Sequence, residues 1–260
     1  MIDRAMKWGL VTNATGFAGP PAVQALRDAG FAVLAHDTAF ADPAQWDRFR
    51  DGRDRLVPIS DAAPEQVIAK ALSIAPALAV LVSNDHHPAP YQAIETAPAT
   101  ELQANLEKLV DAPFRTIQAV LPAMKAQGGG NIVMITSNRT RLPLPGAAFP
   151  DAARAAANAL VRSLAIDCAP FNIVVNAVAP NFLYSEAYYP AALFRETERG
   201  RAYIEQSVPV GRLAEPHEIG EVIAFLATMK TRFMTGAILD FSGGWPFAPA
   251  RPTHDDPFQG

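Results

Sequence analysis

Ser137 stands directly after an apolar run, Asn131 to Thr136, and Arg154 follows inside a segment of helical spacing, Ala152 to Ile166. A hydroxyl at the carboxyl end of a strand can donate to a substrate oxygen, and a guanidinium, which keeps its proton, supplies a fixed positive charge. Asp85 ends the segment Leu81-Val82-Ser83-Asn84-Asp85, where a carboxylate can partner a buried arginine. His86 and His87 come next. Imidazole suits general-base work near neutrality, but adjacent side chains point apart, so at most one of the pair faces a common site. Arg139 and Arg141 follow Ser137 closely and could receive a carboxylate or phosphate group of a substrate. Asp151 is a second acid at hand, placed where an acid also serves a helix dipole. Two turns complete the set. Thr12-Asn13-Ala14-Thr15-Gly16-Phe17-Ala18-Gly19 lies between a strand pattern and a helix pattern, and it carries a phenyl ring on the turn. Ala179-Pro180-Asn181-Phe182-Leu183-Tyr184-Ser185-Glu186 is a Pro-Asn turn after a strand pattern, with an aromatic residue beside its backbone amides. Asp37, which ends the second strand pattern, is placed either for a ribose or for capping the next turn.

The elements that must position these groups read as an alternation. Apolar strand signals run over Trp8 to Thr12, Phe31 to His36, Leu56 to Ile59, Leu78 to Val82, Asn131 to Thr136, Asn172 to Val178 and Ala237 to Phe241. Helical spacing fills Pro20 to Ala29, Pro64 to Ile74, Phe114 to Gln127 and Ala152 to Ile166. Near-continuous Val/Ile/Leu strands alternating with helices predict an α/β fold, a doubly wound parallel sheet of about seven strands with helices on both faces. In such a sheet the crevice lies beyond the carboxyl ends of the strands, where all the residues above fall. Residues 1–244 read as a single domain, and residues 245–260, with Pro246, Pro249, Pro252 and Pro257, as an extended arm outside the core.

Composition narrows the chemistry. With 260 residues, 50% hydrophobic and 18% charged, the chain is long enough for one large core. A net charge of −4 argues against a nucleic-acid partner. One cysteine and five histidines without H-E-x-x-H spacing offer no metal site. No twenty-residue apolar span or secretory leader is visible, so a cytoplasmic location away from membranes is the expectation.

The first turn, in its strand-turn-helix setting, resembles the short-chain dehydrogenase/reductase family, whose turn reads T-G-x-x-x-G-x-G and seats a pyrophosphate. Asn13 and Phe17 take the places of the first two glycines, and only Gly19 remains of the three. Arg154 stands where those enzymes carry the lysine that holds the nicotinamide ribose. T-x4-F-x-G from Thr12 to Gly19, with S-x16-R from Ser137 to Arg154, is similar to the halohydrin dehalogenases, a branch with a halide site in place of the dinucleotide. Ser83-Asn84-Asp85 and Pro180 to Glu186 extend the likeness, which runs from Leu10 to about Gly244.

The resemblance implies a Rossmann-like fold, no cofactor, and closure of vicinal halohydrins to epoxides or ring opening by small anions. Ser137 would bind the substrate oxygen, Arg154 would act electrostatically, and Asp85 would orient it. Phe17, Pro180, Asn181, Phe182 and Leu183 would hold the halide, and Arg139, Pro150 and Tyr184 would line the substrate space. The assembly implied is a homotetramer; small helix residues, among them Ala155, Ala156, Ala157 and Ala159, permit close packing across a two-fold axis. One departure matters: the family's tyrosine falls on Pro150, and the five tyrosines of this chain lie elsewhere. Either another group takes the proton, with His86 or His87 the nearest titratable choice, or the site binds anions without the reaction. A short-chain reductase with a degenerate nucleotide turn is the remaining alternative.

Overall fold

The computed structural model describes residues 6–88 and 91–247. Seven strands form one parallel sheet: β1 (Trp8–Val11), β2 (Ala32–His36), β3 (Leu56–Ile59), β4 (Val80–Ser83), β5 (Gly130–Ile135), β6 (Ile173–Pro180) and β7 (Ile238–Phe241). Their spatial order is β3-β2-β1-β4-β5-β6-β7. The order reverses between β1 and β4, and the ends of those two strands open the crevice. All seven expected strands are present, with ends within two residues of those read from the sequence.

Successive side chains of a strand point to opposite faces, and here both faces are buried. Val11, Val33, Val82, Val133 and Val178 face α1 (Gly19–Asp28) and α9 (Pro216–Thr228). Leu10, Leu34, Leu81, Ile132 and Val175 face α3 (Pro64–Ile74), α5 (Ala112–Ala126) and α6 (Ala148–Cys168). The sequence reading left unplaced α2 (Pro43–Arg50), α4 (Ala99–Leu106), α7 (Ala191–Phe194), α8 (Glu198–Ser207) and α9. Helices α7 and α8 lie in the long excursion between β6 and β7 and wall the crevice from above.

Two expectations are corrected. The Arg154 helix does not start at Ala152: α6 begins at Ala148, and Pro150 sits within its first turn, where no N–H is needed. Trp245 is not part of an external arm: it is buried against Phe182, with ring centroids 5.9 Å apart. The rest of the expected arm, from residue 248 on, lies outside the described residues. Among the described residues no helix is long and apolar enough to cross a membrane, and no His/Cys/Asp/Glu group could hold a metal ion.

Candidate active site

The turn between β1 and α1 is a clamped structure. Asn13 and Phe17 hold φ of 48° and 50°, the left-handed region that glycine enters freely and that costs other residues roughly 1–2 kcal/mol each. Asn84, fully buried, holds the turn in place by donating from Nδ2 to the carbonyls of Asn13 and Gly16, each at 2.9 Å. The Phe17 ring meets Tyr188 edge-on, centroids 5.0 Å apart, and this contact offsets part of the backbone strain. Gly19 is required by close approach, since a Cβ there would lie 2.5 Å from the Asn13 carbonyl oxygen.

The start of α1 is not built to seat a phosphate. A helix N-terminus receives phosphate through unpaired N–H groups. The first three residues of α1 offer none: Gly19 N–H donates to Gly16 O at 2.8 Å, and Pro20 and Pro21 have no N–H. Asp37 is committed elsewhere, accepting from Thr15 N, Thr15 Oγ1 and Ala39 N, so it caps the turn.

Beyond the strand ends lies a cavity of about 840 Å³. Its walls include Phe17, His87, Ser137, Arg139, Pro150, Arg154, Pro180 to Leu183, Tyr188 and Tyr189. Ser137 is buried at the end of β5; its Oγ donates to Pro180 O and accepts from Arg139 N–H, both at 3.3 Å. Asn158, on α6, fixes the Ser137 carbonyl at 2.9 Å. Arg154, only 6% exposed, donates through Nη1 to Asp85 O at 3.1 Å and to Ile135 O at 3.4 Å, and through Nη2 to Tyr188 Oη at 3.4 Å.

Asp85 therefore meets the arginine through its backbone carbonyl, and its carboxylate turns to Asn13 Nδ2 and Ser83 Oγ. Burial pushes that carboxyl up to about 6, against the downward pull of Ser83, Arg154 and Asn13. The two histidines part company, as adjacent side chains should. His87 lines the cavity with Nε2 held 3.2 Å from Glu101 Oε1, and its backbone N–H donates to Tyr188 Oη at 3.2 Å. His86 is tucked beneath Gly16, where an added Cβ would sit 2.7 Å from its Nε2; it is not in the cavity wall, and burial holds its pKa down.

Arg139 lines the cavity but is ion-paired to Asp151, which accounts for both charges. Arg141 is paired to Asp240 at 2.9 Å and does not reach the cavity wall. Tyr184 does not line the cavity; its hydroxyl donates to Glu186 and the Arg195 guanidinium lies 3.4 Å over its ring. Tyr188 and Tyr189, four and five residues further on, face the cavity instead. The turn after β6 keeps few of its expected amides. Pro180 has none, Asn181 N–H donates to Phe241 O at 3.0 Å, and Phe182 N–H donates to Asn181 Oδ1 at 3.0 Å. Tyr184 N–H donates to Ala214 O, so that between Pro180 and Tyr184 the Leu183 N–H is the one without an acceptor among the described residues.

A family model described as enoyl-(acyl carrier protein) reductase matches residues 19–246. The chain belongs to the short-chain dehydrogenase/reductase superfamily. A curated member, cis-4-hydroxycyclohexanecarboxylate dehydrogenase of Sinomonas cyclohexanicum, is 31% identical over 258 residues, 93% of this chain and 97% of the relative. Human dehydrogenase/reductase SDR family member 4 is 28% identical over 182 residues, 70% of this chain but only 64% of the human protein's length. Two solved structures align along nearly the whole chain. One, described as a dehalogenation enzyme, has a TM-score of 0.88 at 32% identity and covers 92% of this chain and 98% of its own. The other, halohydrin dehalogenase bound to ethyl (2S)-oxiran-2-ylacetate, has a TM-score of 0.90 at 29% identity and covers 95% and 100%.

Proposed function

We propose that this superfamily member performs cofactor-independent chemistry on vicinal halohydrins and epoxides. The observation that carries the reading is the pairing of a nucleotide turn closed by Phe17, Pro20 and Pro21 with a serine and an arginine still open to the cavity below it. The likeness to two dehalogenases along almost their full length supports it.

In this reading the Ser137 hydroxyl exchanges its weak bond to Pro180 O for the oxygen of the substrate. Arg154 contributes a buried positive charge beside the reacting oxygen, matched by carbonyl dipoles and not neutralised by a direct carboxylate contact. The departing halide is placed at the Leu183 N–H, on the cavity wall to which Phe17 and Phe182 also contribute, and a partly apolar nest favours a weakly hydrated anion over water. In closure the substrate oxygen attacks the neighbouring carbon, the carbon–halogen bond breaks and the halide leaves with the bonding pair. Ring opening is the reverse, with an anion attacking carbon and the ring oxygen gaining a proton.

Purified protein incubated with vicinal bromohydrins, with no nucleotide added, tests this through bromide release followed with an ion-selective electrode. Release that is unaffected by NADPH supports it. Consumption of NADPH with carbonyl substrates and no bromide release would establish the reductase reading in its place; saturable bromide binding without turnover would establish an anion-binding subunit.

A further inference from the structure

Position 150 is a proline, so the proton that halohydrin closure releases and ring opening consumes must travel through another group. A carrier needs a titratable atom in the cavity, contact with the charge that stabilises its anion, and freedom from a competing partner. Each candidate can be examined on those terms. His86 is outside the cavity wall. His87 has its Nε2 held by Glu101, which lies outside the cavity wall, and it makes no contact with the Arg154 guanidinium; Asp151 is tied to Arg139. Tyr91 meets Arg139, whose charge Asp151 already neutralises, and Tyr189 spends its hydroxyl on Asn181 Oδ1 at 2.8 Å, with burial raising its pKa far above the ordinary phenol value.

Tyr188 meets all three conditions. Its oxygen accepts from the Arg154 guanidinium at 3.4 Å and from the His87 backbone N–H at 3.2 Å. With two donors on the oxygen, its own proton is left to point away from both, and among the described residues no acceptor takes it. Phe17, packed edge-on against the ring, fixes its tilt, and the side chain remains partly open to solvent. The turn Ser185 to Tyr189 delivers it, with Tyr188 and Tyr189 N–H groups both bonded to Ser185 O.

We propose that Tyr188 is the proton carrier of this site, a catalytic residue reaching Arg154 from the turn after β6 and not from α6 itself. The inference rests on the halohydrin and epoxide reading above. In ring opening an anion attacks a ring carbon, the carbon–oxygen bond breaks toward oxygen, and that oxygen takes the Tyr188 proton; the phenolate left beside Arg154 is reprotonated by water. In closure the Tyr188 phenolate takes the substrate hydroxyl proton as the oxygen attacks carbon and halide departs, and the phenol then returns its proton to solvent.

The test compares wild type with Tyr188→Phe for bromide release from bromohydrins, azide opening of epoxides, and bromide binding by calorimetry. Tyr188→Phe is expected to lower kcat in both directions at least about a hundredfold while bromide affinity stays within about threefold, showing an intact pocket. A second measurement replaces Tyr188 with 3,5-difluorotyrosine, a more acidic phenol, which should move the rising limb of the closure rate to lower pH. A tyrosine that only shapes the pocket would leave that limb in place. Full activity in Tyr188→Phe, or an unmoved limb, overturns the assignment while the halohydrin reading stands. Wild type that releases no bromide and opens no epoxide overturns both.

Discussion

Asp85 makes the fold pH-dependent in a direction that can be worked out in advance. Its folded-state pKa is raised to about 6 from an ordinary 3.8, chiefly by burial. The native state therefore binds this proton more tightly than the unfolded chain does. The associated stability is fully present below about pH 4 and is lost as the pH rises through 6. At about 1.4 kcal/mol per pH unit, the interval is worth about 3 kcal/mol, a sizeable share of the roughly 5–15 kcal/mol that holds a domain together. Asp85→Asn removes the ionisation but keeps an oxygen for Asn13 Nδ2 and an amide that can face Ser83 Oγ. Urea unfolding of both proteins at a series of pH values from 4 to 8 is the assay. The variant should gain on wild type by up to about 3 kcal/mol across that range, with most of the change between pH 4 and 6.5. Parallel profiles would refute the reasoning, because they would mean that the carboxylate is hydrated or compensated in the folded chain.

Four further outcomes are expected. Ser137→Ala and Arg154→Ala should each lower bromide release at least about a hundredfold, measured as initial rates at saturating bromohydrin. Wild type and Phe17→Gly alike should show no micromolar affinity for NADPH in calorimetry, because the first turn of α1 lacks donors whether or not the ring is there. Phe17→Ala should weaken bromide binding several-fold in the same instrument, since one wall of the proposed nest is removed. Light scattering at micromolar concentration should give the mass of a homotetramer; a monomer would dismiss the assembly that the family resemblance implies.

Much of the fold was legible because its signals are local. Val, Ile and Leu runs of four to eight residues between helical segments declare buried parallel strands wherever they occur. Ser137, Arg154, Phe17 and the Pro180–Leu183 turn were legible for the same reason, since each sits at a strand end or at a fixed helical distance from one. Tyr188 was not. Its hydroxyl meets a guanidinium 34 residues away in sequence, and only the path of the turn after β6 brings the two together. Tyr184 was the closer guess by contiguity, and it fails because Arg195 and Glu186, from the excursion above, hold it outward. His86 and His87 could not be told apart by sequence, since the choice of which ring enters the cavity depends on the space under Gly16. Trp245 was misplaced because a proline-rich composition says nothing of a neighbouring aromatic cluster ready to receive an indole.

The two prolines at the start of α1 give this scaffold a one-way character. Replacing Phe17 with glycine restores room for a pyrophosphate but adds no donor at the start of α1, and replacing either proline alone restores a single N–H beside a ring that still lines the cavity. On the proposed reading, single substitutions at Phe17, Pro20 or Pro21 are expected to confer no measurable nucleotide affinity in calorimetry, so selection for hydride transfer has no first rung to stand on. Changes to the cavity wall, at Pro150, Tyr189 or Phe182, are each felt at once by whatever occupies the cavity. On the proposed cofactor-independent reading, adaptation of this chain, in nature or in a laboratory, is thereby channelled toward new anions and new carbon skeletons and away from redox chemistry.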